Sequence, residues 1–493
     1  MVVLNSHDYL LAAPLLALAA GALVILLLDL FVDRKSQAMW YVAGIGAVGT
    51  AGYYIWQLWN EAAPKAFFGA MVMDRFALVF ATILLGALLL TLLLAMGRSE
   101  DDKSGYLALV LWAGMGMVMM ASAGSLMTIF LGLELLSLAL YVAVAFDPKH
   151  PNAREAAFKY FVLGSVASSF ILVGFALVYG VTGSMELAAI AKAAQVSNLY
   201  YKVGIGLTLV GFGFKLALVP FHVWAPDVYQ GAPTPTTAFM SVGTKAAAFA
   251  TAARFLIAAV PAASQGKVLL PLAVLAAASM LLGSTVGIWQ TDLKRLMAYS
   301  GIAHAGYLMM AVPGLGAAGV SAAAYYMAAY LFTAMGVFAI VALLEAEGEE
   351  GASFSVLQGL FYRRPWLGGL MALFMFANAG LPPTGGFMGK FLLAKAAVTA
   401  IPTVPANAWT LLVALIVSTG ISAYVYLRVI SNVFSKTAAG AAKARMAGAE
   451  DELSLGQGAV RFGIVAVLVL SVVGTLVLGI LPGPAMDLLK IVF

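Results

Sequence analysis

Four titratable side chains stand alone in apolar stretches: Glu134 in LGLELLSLAL, Lys215 in GFGFKLALVP, Lys245 in SVGTKAAAF and His304 in YSGIAHAGYLMM. A fifth, Lys390, follows the break LPPTGG. Carboxylate, amine and imidazole share one reaction, the reversible binding of a proton. Other chemistry is poorly served. Cysteine is absent, which removes disulfides, thiolate iron-sulfur ligation and cysteine nucleophiles. The histidines at 7, 150, 222 and 304 sit at no metal-ligand spacing, so neither a haem nor a metal centre is expected from this chain alone.

A charge at mid-bilayer depth costs roughly 2.5 to 3.5 kcal/mol on insertion scales, so each of these residues needs a partner or a task. Glu134 is the single carboxylate at the middle of an apolar run, and its expected partner is Lys215, each favouring the charged form of the other. For one isolated pair, a purely structural role is an equally good reading. Lys245 and His304 tip the balance, because they lie at a similar depth with no acidic partner. Ser300 and Tyr307, at i−4 and i+3 from His304, and Ser241, at i−4 from Lys245, add hydroxyls on the same helix faces. The pattern is a row of proton-binding groups in the membrane plane.

The elements that must hold this row are helices. Hydrophobic residues make up 63% of the chain and charged residues 10%, and the mean hydropathy is +0.99. Such a chain is a polytopic membrane protein. A bilayer core takes about 20 helical residues, and the apolar runs predict fourteen spans. These lie near 9–32, 38–59, 76–97, 104–122, 124–145, 155–181, 203–230, 234–260, 268–290, 293–312, 317–345, 366–400, 406–434 and 459–482. No basic residue precedes the first run, so no cleaved signal peptide is expected.

Basic residues gather in alternate loops. Arg34, Lys35, Arg98, Lys103, Lys149, Arg154, Lys159, Lys294, Arg295, Arg363, Arg364, Lys436, Lys443, Arg445 and Arg461 fall on one side, and Lys65, Arg75, Lys192, Lys202, Lys267 and Lys490 on the other. The positive-inside rule puts the first group in the cytoplasm and both termini outside. The net charge of +5 follows from that topology and requires no nucleic-acid partner. Arg254, Arg428 and Lys395, toward the ends of their spans, are expected to snorkel to the interface. The stretch MELAAIAKAAQ (185–195) reads as an amphipathic surface helix, and 345–355 and 436–453 as solvated loops.

Proline marks two of the spans. Pro220 interrupts the seventh, and Pro382 with Pro383 interrupts the twelfth. A break frees backbone groups that only protein or a water-lined cavity can satisfy at membrane depth. The breaks are 163 residues apart (383 minus 220) and the fourth and ninth spans begin 164 apart (268 minus 104). This predicts two five-helix repeats, 104–260 and 268–434, flanked by helices within 1–97 and by a last helix in 459–493. An odd number of spans per repeat makes the second inverted relative to the first, and broken helices at matching places in inverted halves point to an ion pathway.

The run FKLALVPFHVWAPDVYQGAPTPTTAFMSVGTKAA (214–247) resembles the antiporter-like membrane subunits of the proton-pumping NADH:quinone oxidoreductase, respiratory complex I. The likeness extends over 131–141, 290–309 and 380–397, and APDVYQGAPTP looks most like the N-type subunits. The resemblance implies two inverted five-helix bundles, with Glu134 and Lys215 as the coupling pair, Lys245 and His304 as the link and Lys390 on the exit side. It implies NADH, FMN, iron-sulfur clusters and quinone on other subunits and no cofactor in this chain. Its implied partners are the other membrane-arm subunits, including a neighbouring antiporter-like one, together with the lipid of a bacterial inner membrane and protons. Lys159, in AAFKYF, is read as structural. Two rival readings use the same residues: a subunit of a cation/proton antiporter or hydrogenase-related complex, and a non-pumping scaffold.

Overall fold

The computed structural model describes residues 6–31, 38–61, 65–96, 103–147, 151–312, 316–347, 352–436 and 458–491. Of the residues used for the expected topology, Arg34, Lys35, Arg98, Lys149, Lys443 and Arg445 lie outside these, as do His150 and the stretch 437–453.

The described residues are mostly helical, with one short hairpin among them of β1 (Lys65–Ala66) and β2 (Met71–Val72). The N-terminal flank comprises α1 (Ser6–Phe31), α2 (Ala38–Gln57) and α3 (Arg75–Ala95). Next come α4 (Lys103–Ala121), α5 (Leu126–Val144), α6 (Pro151–Thr182), the short α7 (Leu187–Ala193) and the pair α8 (Leu199–Leu216) and α9 (Trp224–Gly231). α10 (Thr234–Phe239) continues through a π-helical turn, Met240–Thr244, into α11 (Lys245–Ala259). The second half holds α12 (Ala262–Gly287), α13 (Leu293–Leu308), α14 (Ala317–Ala346), α15 (Phe354–Leu357), α16 (Leu360–Arg363), α17 (Pro365–Ala379), α18 (Gly385–Thr399) and α19 (Pro405–Val433). Gly458–Ile480 forms the last long helix.

Among the described residues ten helical segments are long and apolar enough to cross a membrane. The other expected spans coincide with α2, with α13, and with the broken pairs α8/α9 and α17/α18. Burial runs as it must in lipid. Large apolar side chains are exposed on the outer helices, for example Phe158 and Phe161 on α6 and Ile416 on α19, while Lys215, Lys245, His304 and Lys390 are buried. α14 is the central post. It touches α3, α10, α17, α18 and the last long helix, and its apolar window is 94% buried.

One local arrangement occurs twice. The loop before α5 bridges the loop before α7, with Leu126 N donating to Met185 O and Leu187 N to Gly124 O. The loop before α13 bridges the loop before α15 in the same way, with Leu293 N donating to Ala352 O and Phe354 N to Thr291 O. The offset is 167 residues in every pair (292 minus 125, 353 minus 186). Helix caps repeat with it: Ser125 accepts from Thr128 N and Asp292 from Arg295 N. So does a close helix crossing. A Cβ on Gly116 would lie 2.6 Å from Gly132 O, and one on Gly283 would lie 2.6 Å from Tyr299 O, so only glycine lets α4 meet α5, and α12 meet α13, at this distance.

Several surface expectations need correction. Arg254 does not snorkel. It is buried, its guanidinium forms a two-armed pair with Asp74 (2.6 and 3.0 Å), and its Nε donates to Ala121 O. Arg428 turns inward as well and donates to the Ile288 and Gln290 carbonyls left free at the end of α12. In both cases a fixed acceptor inside the protein outcompetes the interface, as the planar donor fork of arginine favours. Lys395 is exposed, as expected. The helix within 185–195 is only the seven residues of α7, anchored by buried Leu187 and Ile190. In the stretch 345–355, Glu345 still belongs to α14 and pairs with Lys294, and Glu347 pairs with Arg364, so its described start is ion-paired.

Candidate functional site

Lys215 occupies the last turn of α8. Ala217 ends that helix in the left-handed region (φ 58°), and its N–H and that of Leu218 donate back to Phe214 O and Gly213 O. The Trp224 indole donates to Phe214 O at 3.0 Å. The break around Pro220 is therefore closed by its own backbone and one side chain. Val219 N is held by Ser279 Oγ of α12 at 2.9 Å, which fixes the break against the second half.

The expected direct pair between Glu134 and Lys215 is absent. Lys215 Nζ donates instead to Ser137 Oγ at 2.7 Å, and among the described residues no ion pair joins the two charges. The geometry of α5 explains this. Ser137 lies three residues beyond Glu134 on the inward face, where it intercepts the amine. Glu134 sits beside the exposed Leu131 and Leu138, at the rim of the bundle's outer surface, and its buried Oε1 has no hydrogen-bond partner.

Lys245 is 3% exposed and donates to Tyr229 Oη at 2.7 Å. Ser241, expected to serve this amine, donates to Ala238 O instead. The Lys245 amine lies against Gly301 of α13, where a Cβ would fall 2.9 Å from Nζ. That gap brings Lys245 to the helix of His304. Shifted by the same 167 residues, Glu134 falls on Gly301 and Ser137 on His304.

His304 is enclosed by tyrosines. Tyr326 Oη bonds Nδ1, Tyr426 Oη bonds Nε2 at 3.2 Å, and the Tyr330 ring lies 4.5 Å from the imidazole, centre to centre. Of the two hydroxyls expected on its own face, Ser300 bonds Tyr426 Oη at 2.6 Å, while Tyr307 accepts from Ser418 of α19 at 3.1 Å. Lys390 Nζ lies 4.8 Å from the Tyr307 ring centre. It donates to the carbonyls of Asn378 (3.1 Å) and Ala379 (2.9 Å), freed where α17 stops before Pro382 and Pro383. Gly380, at φ 85°, makes that stop.

The expected residues thus meet a second set that sequence reasoning missed: Ser137, Tyr229, Tyr326, Tyr330 and Tyr426. Tyr326 and Tyr330 did carry a signal. They stand four apart in YYMAAYLF, inside the most deeply buried span. Lys159 lies on a separate cluster, bonded to Glu155 and Asp227 at 2.8 Å each, with Asp227 also held by Arg295 at 2.6 Å. Among the described residues no group of three His, Cys, Asp or Glu side chains is placed to hold a metal ion. What the arrangement offers is a set of amines and an imidazole, each hydrogen-bonded to neutral oxygen.

A family model described as "NADH:quinone oxidoreductase/Mrp antiporter, TM" matches residues 123–422. NADH-quinone oxidoreductase subunit N 1 of Symbiobacterium thermophilum is 59% identical over 98% of this chain and 98% of its own. A chain of respiratory complex I from Thermus thermophilus matches with a TM-score of 0.77 and 33% identity over 96% of this chain and 98% of that one. A chain of the Mrp complex from Dietzia sp. DQ12-45-1b matches with a TM-score of 0.79 at 22% identity, over 98% of this chain and 96% of that one, which is a likeness of fold alone.

Proposed function

This chain belongs to the subunit N family of NADH-quinone oxidoreductase, and we propose that within such a complex it moves protons across the membrane while the redox chemistry takes place on other subunits. The observation that carries this reading is the state of its buried amines. Lys215, Lys245 and Lys390 each donate to a neutral oxygen, and among the described residues none has a carboxylate within ion-pair distance. An amine locked to a carboxylate would hold its proton. One held by serine, tyrosine or peptide oxygen can release it when a nearby charge changes.

In this reading Glu134 sets the charge on Lys215 through space rather than by contact. A change of state in a neighbouring antiporter-like subunit, felt at the rim where Glu134 sits, loosens the proton on Lys215. The proton passes to Lys245, across the Gly301 gap to His304 and its tyrosines, and on to Lys390, from which it leaves. The duplicated loop bridges and helix crossings support two inverted five-helix repeats, 104–260 and 268–434, with the flanks 1–97 and 459–493. The chain is a multi-pass membrane protein. We place it in the bacterial inner membrane with both termini outside, beside the other membrane-arm subunits, with NADH, FMN, iron-sulfur clusters and quinone held elsewhere in the complex.

The test is NADH-driven quinone turnover together with proton uptake in membrane vesicles carrying Lys215→Ala, with assembly followed on a native gel. Loss of both activities in an assembled complex is the expected result. Normal rates of both would make the amine structural and the chain a scaffold.

A further inference from the structure

Two inward-turned arginines close helix ends in the same way, one in each half. Arg254, near the end of α11, donates through Nε to Ala121 O, the last carbonyl of α4, at 3.1 Å, and its Cζ lies 4.5 Å from the Phe76 ring centre. Arg428, near the end of α19, donates to Ile288 O at the end of α12, and its Cζ lies 4.9 Å from the Phe354 ring centre. The two accepting carbonyls are 167 residues apart (288 minus 121), which is the offset of the duplicated loop bridges. Each arginine is fastened a second time nearby, Arg254 by both oxygens of Asp74, the cap of α3, and Arg428 by Gln290 O. Arg254 lies on the side that carries Arg75, and Arg428 on the side that carries Lys294 and Arg295. With the two halves inverted, these are opposite sides.

Between Lys245 and Arg254 the helix is apolar. Residues 246–253 read AAAFATAA and all are buried; their one hydroxyl, on Thr251, donates to Ala247 O and Met120 O. Phe249, Phe80 and Phe76 set a run of rings along this stretch that ends under the guanidinium. The nine residues span about 14 Å at 1.5 Å each. In the second half Arg428 stands two residues beyond Tyr426, whose hydroxyl bonds Ser300 and His304. A proton relay needs groups that accept on one side and donate on the other. A guanidinium has five donors and no acceptor, and it keeps its proton in proteins. Asp74 is able to accept, but both its oxygens are taken, by the guanidinium and by Ala77 N. A structural clamp explains one such arginine. It does not explain the same clamp on the equivalent carbonyl at opposite ends of the two halves, each at the margin of the row.

We infer that Arg254 and Arg428 are proton seals: Arg254 shuts Lys245 off from the side that carries Arg75, and Arg428 shuts His304 and its tyrosines off from the side that carries Lys294. The inference rests on the proton-transfer reading given above, and it names what keeps that transfer in one direction. A proton that entered the row at Lys245 from the side of Arg75, or left it at His304 toward the side of Lys294, would end on the side from which it came. Turnover would then proceed without net transport. With a group that only donates fixed on its acceptors at each margin, such a return finds no atom to accept it.

The experiment reconstitutes the whole complex in liposomes and reads NADH-driven quinone turnover beside the protons moved per NADH oxidised, with assembly checked on a native gel and Lys245→Ala as reference. The seals predict that Arg254→Ala and Arg428→Ala each keep turnover and lower the protons moved per NADH. Arg254→Lys and Arg428→Lys retain the charge but supply an amine, which is able to take a proton and pass it on, so they are expected to lower the ratio as well. Should an alanine variant fail to assemble, the lysine variant at that position decides. Wild-type ratios in the assembled arginine variants beside an inactive Lys245→Ala would overturn the seals and leave the proton-transfer reading intact. Turnover and pumping that fall in step would also overturn them, since the ratio would be unmoved and the arginines would merely hold helix ends. A lowered ratio at one arginine alone would overturn the equivalence of the two. Normal turnover and ratio in Lys245→Ala would remove the row itself, and the seals with it.

Discussion

The two broken helices end in the same backbone turn, with Ala217 N and Leu218 N returning to Phe214 O and Gly213 O at the first and Gly380 N and Leu381 N to Ala377 O and Phe376 O at the second, and they differ in what their lysines do. At the first, Lys215 precedes the break and takes no part in closing it: the freed carbonyls of Gly213 and Phe214 are satisfied by Leu218, Ala217 and Trp224. At the second, Lys390 follows the break and serves the next two carbonyls beyond the backbone turn, donating to Asn378 O and Ala379 O. One amine rests on a side-chain hydroxyl and the other on the main chain. A lysine that carries no structural duty is free to answer a change in charge at Glu134. One that caps two buried carbonyls cannot lose its hydrogen bonds without loosening the helix end. The first break is suited to sensing and the second to holding a fixed geometry.

Substitution at each break can sharpen or break this contrast. The largest effect is expected from Lys390→Ala, which should abolish turnover and also lower the thermal stability of the solubilised complex, because two buried acceptors left unpaired cost about 1 to 3 kcal/mol each. Lys215→Ala should abolish turnover with the unfolding midpoint nearly unchanged. Equal midpoints for the two variants would erase the proposed division of labour. Gly380→Ala should come next, costing about 1 to 2 kcal/mol for the left-handed backbone, with a further cost because the new Cβ would lie 2.8 Å from Lys390 Cδ. Its counterpart at the first break has the opposite sign. Ala217 already sits at φ 58°, so Ala217→Gly should raise stability by up to about 1 kcal/mol in a thermal melt. The smallest change is expected from Trp224→Phe, which removes the indole donor to Phe214 O while Ala217 N still serves that carbonyl. A loss of about 0.5 to 1 kcal/mol should appear as a slight downward shift of the melting curve.

What the sequence disclosed, and what it withheld, follows from the range of the interactions. Each proton-binding residue of the row stands out because a charge in an apolar run needs no neighbour to be noticed. Proline announces both breaks for the same reason, since its effect on the backbone is local. The partners are another matter. That Lys215 would reach Ser137 and not Glu134 depends on how α5 is rotated about its axis, which one turn of apolar sequence does not fix. Asp74 and Arg254 are 180 residues apart (254 minus 74), and Arg254 taken alone reads as an ordinary interfacial residue. The tyrosines around His304 come from α13, α14 and α19 and converge only in three dimensions.

The two loop bridges also bear on how the chain is made. The first joins residues that are 61 positions apart (186 minus 125), and so does the second (353 minus 292). Each is complete as soon as its own stretch of chain has left the ribosome, and neither needs the other half. Synthesis proceeds from the N-terminus, and folding units close in that order. The first bridge therefore needs no residue of α13 in order to join the loop before α5 to the loop before α7. Each half thus carries its own pair of backbone hydrogen bonds between loops, which a substitution can delete only by placing proline at Leu126, Leu187, Leu293 or Phe354.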